Sequence, residues 1–164
     1  MKRLIMISAA IAALAFGSVA AYATTVTVSP WAYSCGHTDF GNPVTGGTSY
    51  SLCLYVDSGS AVVSAGIPGV ANWKAISIGY VFHDPTAGGD GVFKTLLKGG
   101  AADKSKLLVK GRGANLDLSA MPLNPSTQVL VQLIRNDAPE CWAATFPPAS
   151  VSADDAALFK AKIP

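Results

Sequence analysis

Apolar and polar residues alternate along most of this chain in short runs, and the runs end in clusters of Gly, Pro, Asn, Asp and Ser. A period of two puts successive side chains on opposite faces of a strand, so each run reads as a strand with one buried face. The clusters include Gly41-Asn42-Pro43, Gly46-Gly47, Pro68-Gly69, Gly88-Gly89, Gly99-Gly100 and Gly111-Arg112-Gly113. They recur roughly every 10 to 15 residues, the spacing of turns between short strands. The pattern predicts strands over Thr24–Val28, Tyr50–Val56, Ala61–Ile67, Ala75–His83, Val92–Leu97, Lys106–Lys110, Gln128–Arg135 and Cys141–Phe146.

In Ala75–His83, Ile76, Ile78, Tyr80 and Phe82 would share the core face, with Ala75, Ser77, Gly79, Val81 and His83 opposite. Gln128–Arg135 is apolar on both sides and reads as a central strand, and Trp142, Ala144 and Phe146 would face the core. One helix start stands out: Ser152 with Asp155 forms an S-x-x-D box that would open a short helix over Ala153–Phe159. Phe159 to Ile163 also alternates, which makes a final strand the competing expectation. Eight short strands with almost no helix predict an all-β chain: an antiparallel β-sandwich, Ig-like or jelly-roll-like, with a small barrel as runner-up.

The N-terminus changes how much of the chain folds. Lys2 and Arg3 precede an uncharged stretch from Leu4 to Phe16, and Ala21-Tyr22-Ala23 supplies the small residues that a signal peptidase reads. That is the three-part pattern of a secretion signal over residues 1–23, too short for a membrane span. The expectation is one β-sandwich domain over residues 24–164, exported to the periplasm or the cell exterior. The first cysteine, Cys35, lies well past the cleavage point, which argues against a lipid anchor.

The formal charge of +2 also changes with cleavage, because Lys2 and Arg3 leave with the signal and the remainder is balanced. A neutral chain has no net field to steer it onto nucleic acid. The charge is nevertheless segregated. Lys94, Lys98, Lys104, Lys106, Lys110 and Arg112 fall in one stretch against Asp103 alone. Two readings fit: a hairpin decorated with lysines that guard it against edge pairing, or a patch for an anionic surface such as lipopolysaccharide or acidic polysaccharide.

Three cysteines in an exported domain imply one disulfide and one thiol. Cys53 and Cys141 both alternate with core residues and would point outward, while Cys35 lies in a loop. Cys35–Cys53 is the favoured pairing, with Cys53–Cys141 as the alternative. Cys35, His37 and Asp39 occupy alternate positions, and His83 could add a fourth ligand from a strand end, a set suited to copper or zinc if Cys35 is not oxidised. Trp31, Tyr33 and Trp73 are candidates for stacking on a sugar, against the plainer expectation that they close one end of the sandwich. Asp84-Pro-Thr-Ala-Gly-Gly-Asp90 lacks the closing Glu of a calcium loop and reads as a turn. Nucleophile-elbow, P-loop, dinucleotide, H-E-x-x-H and C-x-x-C patterns are absent, Glu140 is the lone glutamate, and no catalytic residue or cofactor is expected.

The stretch Lys104-Ser105-Lys106-Leu107-Leu108-Val109-Lys110-Gly111-Arg112-Gly113-Ala114-Asn115-Leu116, followed by Cys141-Trp142-Ala143-Ala144-Thr145-Phe146, resembles a module common in hypothetical exported bacterial proteins. The likeness covers about residues 92–163. It implies an exported bacterial β domain and transfers no catalytic residue. The functional expectation is a non-catalytic module with a binding or structural role. Its partner would be a polysaccharide, an anionic cell-surface component or another protein. The alternatives are a periplasmic metal-binding protein and a self-assembling surface subunit that accepts a neighbour's strand beside Thr24–Val28.

Overall fold

In the computed structural model, residues 24–28, 39–100, 106–156 and 158–161 are described. Among them the chain forms eleven strands: β1 Thr24–Val28, β2 Tyr50–Val56, β3 Ala61–Ile67, β4 Trp73–Ile76, β5 Gly79–His83, β6 Val92–Lys98, β7 Lys106–Gly111, β8 Val129–Arg135, β9 Cys141–Phe146, β10 Val151–Asp154 and β11 Phe159–Ala161. They make a five-stranded sheet ordered β1-β7-β6-β5-β4, a four-stranded sheet ordered β3-β2-β8-β9, and a β10-β11 pair. Every pairing is antiparallel. The expected all-β antiparallel sandwich is the fold observed.

Alternation explains why the two large sheets close on each other. Leu52, Leu54, Val131, Leu133, Trp142 and Phe146 from the four-stranded sheet share one core with Trp73, Phe82, Leu97, Leu107 and Val109 from the five-stranded sheet. An aromatic chain crosses between them: Trp142 packs on Tyr50 at 6.3 Å, Tyr50 on Trp73 at 5.4 Å, and Trp73 on Phe82 at 5.3 Å between ring centroids. Tilted ring pairs of this kind add about 0.5–1.5 kcal/mol each beyond the area they bury. Asp57, just after β2, secures the start of β8. Its carboxylate accepts from the backbone N–H groups of Ser126, Thr127 and Gln128 and from the Ser126 and Thr127 hydroxyls, at 2.7–2.9 Å.

Two expectations fail. The run Ala75–His83 is two strands, because Ser77 and Ile78 form a two-residue hairpin turn between β4 and β5. The turn reverses the phase. Tyr80 and Phe82 keep the core side, but Ile76 lies opposite Gly79 on the outer face, and Ile76 and Ile78 are 38% and 49% exposed. Gly79 holds φ at 154°, where a Cβ would collide with the Leu97 carbonyl. The short helix is also absent: β10 and β11 pair as a hairpin instead. The Ser152 hydroxyl donates to the Lys160 carbonyl across the pair, and the Asp155 carboxylate accepts from the Leu158 N–H within the turn. Both side chains thus stabilise a hairpin, and the alternation of Phe159 to Ala161 was the better guide.

Candidate functional site: a cationic sheet face

The outer face of the five-stranded sheet is built in three transverse rows fixed by strand register. The first row runs Ile76, Gly79, Lys98, Lys106 across β4, β5, β6 and β7. The second runs Lys74, Val81, Leu96, Leu108, and the third His83, Lys94, Lys110 on β5, β6 and β7. The first and third rows stand four residues apart along the strands, about 13 Å at ~3.3 Å per residue. Five lysines therefore share one face, with a half-buried stripe of Val81, Leu96 and Leu108 between them. None of the strands β4 to β7 contains an Asp or Glu.

This arrangement disfavours the edge-guard reading of the lysines. β6 and β7 are interior strands of the sheet, so Lys94, Lys98, Lys106 and Lys110 do not protect an open edge. They also oppose one another directly, as Lys94 with Lys110 and Lys98 with Lys106. Like charges at such positions destabilise a sheet. Partial burial, and after it the neighbouring Lys94 charge, lowers the Lys110 ammonium below the usual lysine range. At one corner an open depression of about 620 Å³ is lined by Asn72, Trp73, Lys74, Val81, His83 and Lys94, so three basic side chains border it.

The other sequence candidates divide clearly. Lys104, Trp31, Tyr33, Cys35 and His37 lie outside the described residues. Arg112 is not part of the lysine rows: its guanidinium sits 4.6 Å over the Phe93 ring and donates to the Pro85 carbonyl at 2.6 Å. With Asn115, which donates to the Ala87 and Gly88 carbonyls, it ties the segment after β7 to the 84–91 loop. Trp73 is 5% exposed and its indole N–H donates to the Pro68 carbonyl, so it belongs to the core and offers no sugar platform.

Asp39 accepts from the Gly41 N–H and pairs with Arg135 at 3.2 Å, and these contacts, the Gly41 bond first, lower its carboxyl below the usual range. Asp84 closes its own turn by accepting from Thr86 and Gly88, as expected of a plain loop. Among the described residues no three His, Cys, Asp or Glu side chains converge as a metal site.

Cys53 is a free, buried thiol, which overturns both expected pairings. It stands on the interior strand β2, opposite Ser64 and Gln132, with its Sγ 4.0 Å from the Ser64 hydroxyl. Gln132 in turn opposes Ala143, so β8 separates Cys53 from the Cys141 strand. Two strand spacings of ~4.8 Å already exceed the ~7 Å Cα separation that a disulfide can span.

The sequence reading missed two groups. Lys74 joins the cationic face from β4, because it alternates with Trp73 and takes the outer side; that local signal was readable. Arg135 gathers Asp39, Asp137 and Glu140 at the β8–β9 turn, with contacts of 3.2, 2.6 and 3.6 Å. The Thr48 hydroxyl also donates to Asp137, so this cluster ties the 39–48 segment to the turn. No helix among the described residues is long and apolar enough to cross a membrane. No protein-family model, curated protein or solved structure matches this chain.

Proposed function

We propose that this chain is an exported, non-catalytic β-sandwich module that binds an anionic component of the cell surface through the outer face of its five-stranded sheet. One observation carries the reading: five lysines share a face without an acid, four of them on interior strands in directly opposed pairs. Opposed lysines cost stability, and an anion lying between them removes that cost. Export is supported by the charged, apolar and small-residue segments over residues 1–23, and a bacterial source by the resemblance over residues 92–163.

The test measures binding of the secreted protein to an immobilised polyuronate and to anionic vesicles as salt is raised. Binding that falls steeply with salt, and is lost in a Lys94→Gln/Lys98→Gln/Lys106→Gln/Lys110→Gln variant, is the expected result. Equal binding by that variant would defeat the proposal.

We also propose Cys35 as the disulfide partner of Cys141, by count: the chain has three cysteines and Cys53 is free. Digestion without reductant should yield a linked peptide pair containing Cys35 and Cys141. A linked peptide containing Cys53 would overturn the assignment.

A further inference from the structure

The geometry points to an anionic lipid bilayer, rather than an acidic polysaccharide, as the partner of the cationic face; this rests on the anion-binding reading above. Three observations favour lipid. First, the face is amphipathic, because the Val81, Leu96 and Leu108 stripe lies between basic rows at about 6.6 Å from each. Second, two of the three large hydrophobic residues that stand exposed among the described residues, Ile76 and Ile78, are on one hairpin turn. That turn ends the row containing Lys98 and Lys106, and the Ile78 carbonyl accepts from the Gly99 N–H just beyond β6. Gly79 contributes no side chain between Ile76 and Lys98, so the row has a notch beside its apolar end. Third, no Trp, Tyr or Phe lies in the three rows. Trp73, Tyr80 and Phe82 turn toward the core, and Phe93 is covered by Arg112, so the face lacks the rings on which sugars stack.

A protein that lies on a bilayer combines apolar side chains at the acyl boundary with lysines at headgroup phosphates. The turn supplies the first and Lys74, Lys98 and Lys106 the second. Long lysine stems can rest along the apolar stripe while their ammonium groups reach outward.

The experiment uses the secreted protein, vesicles of phosphatidylglycerol with phosphatidylcholine, vesicles of phosphatidylcholine alone, and a soluble polyuronate. Co-sedimentation should occur with the anionic vesicles only. Lys98→Gln and Lys106→Gln should each weaken it about fivefold. Ile76→Asn/Ile78→Asn should weaken vesicle binding by at least about tenfold while leaving polyuronate binding unchanged. Both isoleucines are exposed, and an unchanged thermal midpoint would confirm that the variant is folded. Full vesicle binding by the isoleucine variant, or binding to polyuronate without binding to vesicles, would overturn the lipid assignment and leave the anion-binding face standing. Binding to neither at low salt would remove both.

Discussion

The two outer faces of this sandwich are made by the same alternation and carry opposite chemistry. On the five-stranded sheet the outward positions are Lys74, Lys94, Lys98, Lys106 and Lys110 around a Val81, Leu96 and Leu108 stripe. On the four-stranded sheet they include Ser51, Cys53, Tyr55, Ser64, Gly66, Leu130, Gln132, Ile134, Cys141, Ala143 and Thr145, without one charged side chain type. Each face keeps half-buried aliphatics on its central strands, so hydrophobic patterning alone would call them equivalent. The difference lies in the polar positions, which are free of the demands of the core. Solubility alone would be served by spreading charge over both faces with mixed signs. Concentrating one sign on one face, in opposed pairs on interior strands, costs stability and calls for a binding explanation.

The largest test of the inside–outside assignment uses neighbouring leucines on β6. Leu97 is fully buried, whereas Leu96 takes the outer face. Leu97→Ala should destabilise by about 2–5 kcal/mol, the usual cost of emptying a core site. Leu96→Ala should cost less than about 1 kcal/mol and weaken vesicle binding, because its stripe would lose an apolar member. Urea unfolding measures the first pair of values. Equal losses at the two positions would mean that the face is covered by something and unavailable to a ligand.

A second test separates the sheets by acid. Asp57 holds β8 beside β2 through hydrogen bonds to its carboxylate, the Gln128 N–H foremost, and these keep its carboxyl well below the ordinary 3.8. A depressed carboxyl stabilises the fold at pH values above its unfolded value and loses that contribution as pH falls through the folded one. Asp57→Asn turns an amide NH2 toward donors that now meet an oxygen. The variant should therefore be less stable than the parent near neutrality, and the gap should close toward about pH 2. Urea midpoints across that range measure it. A gap independent of pH would show that shape rather than charge matters at this joint.

These contrasts also mark what the sequence could and could not convey. Tyr50–Val56, Ala61–Ile67 and Cys141–Phe146 were legible because each has a core-facing row and clear turn residues at its ends. The β4–β5 turn was hidden because Ser77-Ile78-Gly79 offers a single Ser and a single Gly rather than a cluster, and the alternation of isoleucines runs straight through it. Ser152 and Asp155 match a helix cap in the sequence because the same side chains that cap helices also satisfy hairpins and turns. The lysine cluster was visible as a run, but its meaning depends on register: only the pairing of β6 with β7 makes Lys94 oppose Lys110, and only sheet order shows that neither strand is an edge. Arg112 looked like one more member until Phe93 and Pro85, brought near by folding, claimed it.

The finest test sets stability against binding at a single position. Lys94 lies between His83 on β5 and Lys110 on β7, so it is the most crowded charge on the face. Lys94→Glu replaces a repulsive cross-strand pair with an attractive one and should stabilise the fold by about 0.2–1 kcal/mol. The same change removes one positive charge from the third row and adds a negative one, so binding to anionic vesicles should fall by more than about tenfold. A variant that is both more stable and less able to bind would be the signature of a surface arranged for a ligand at the expense of the fold. If stability rises and binding is untouched, Lys94 faces only water, and the working part of the surface contracts to the row of Lys98 and Lys106 beside the Ile76–Ile78 turn. If neither quantity moves, opposed lysines on this sheet cost nothing, and repulsion between them gives no reason to assign the face a ligand.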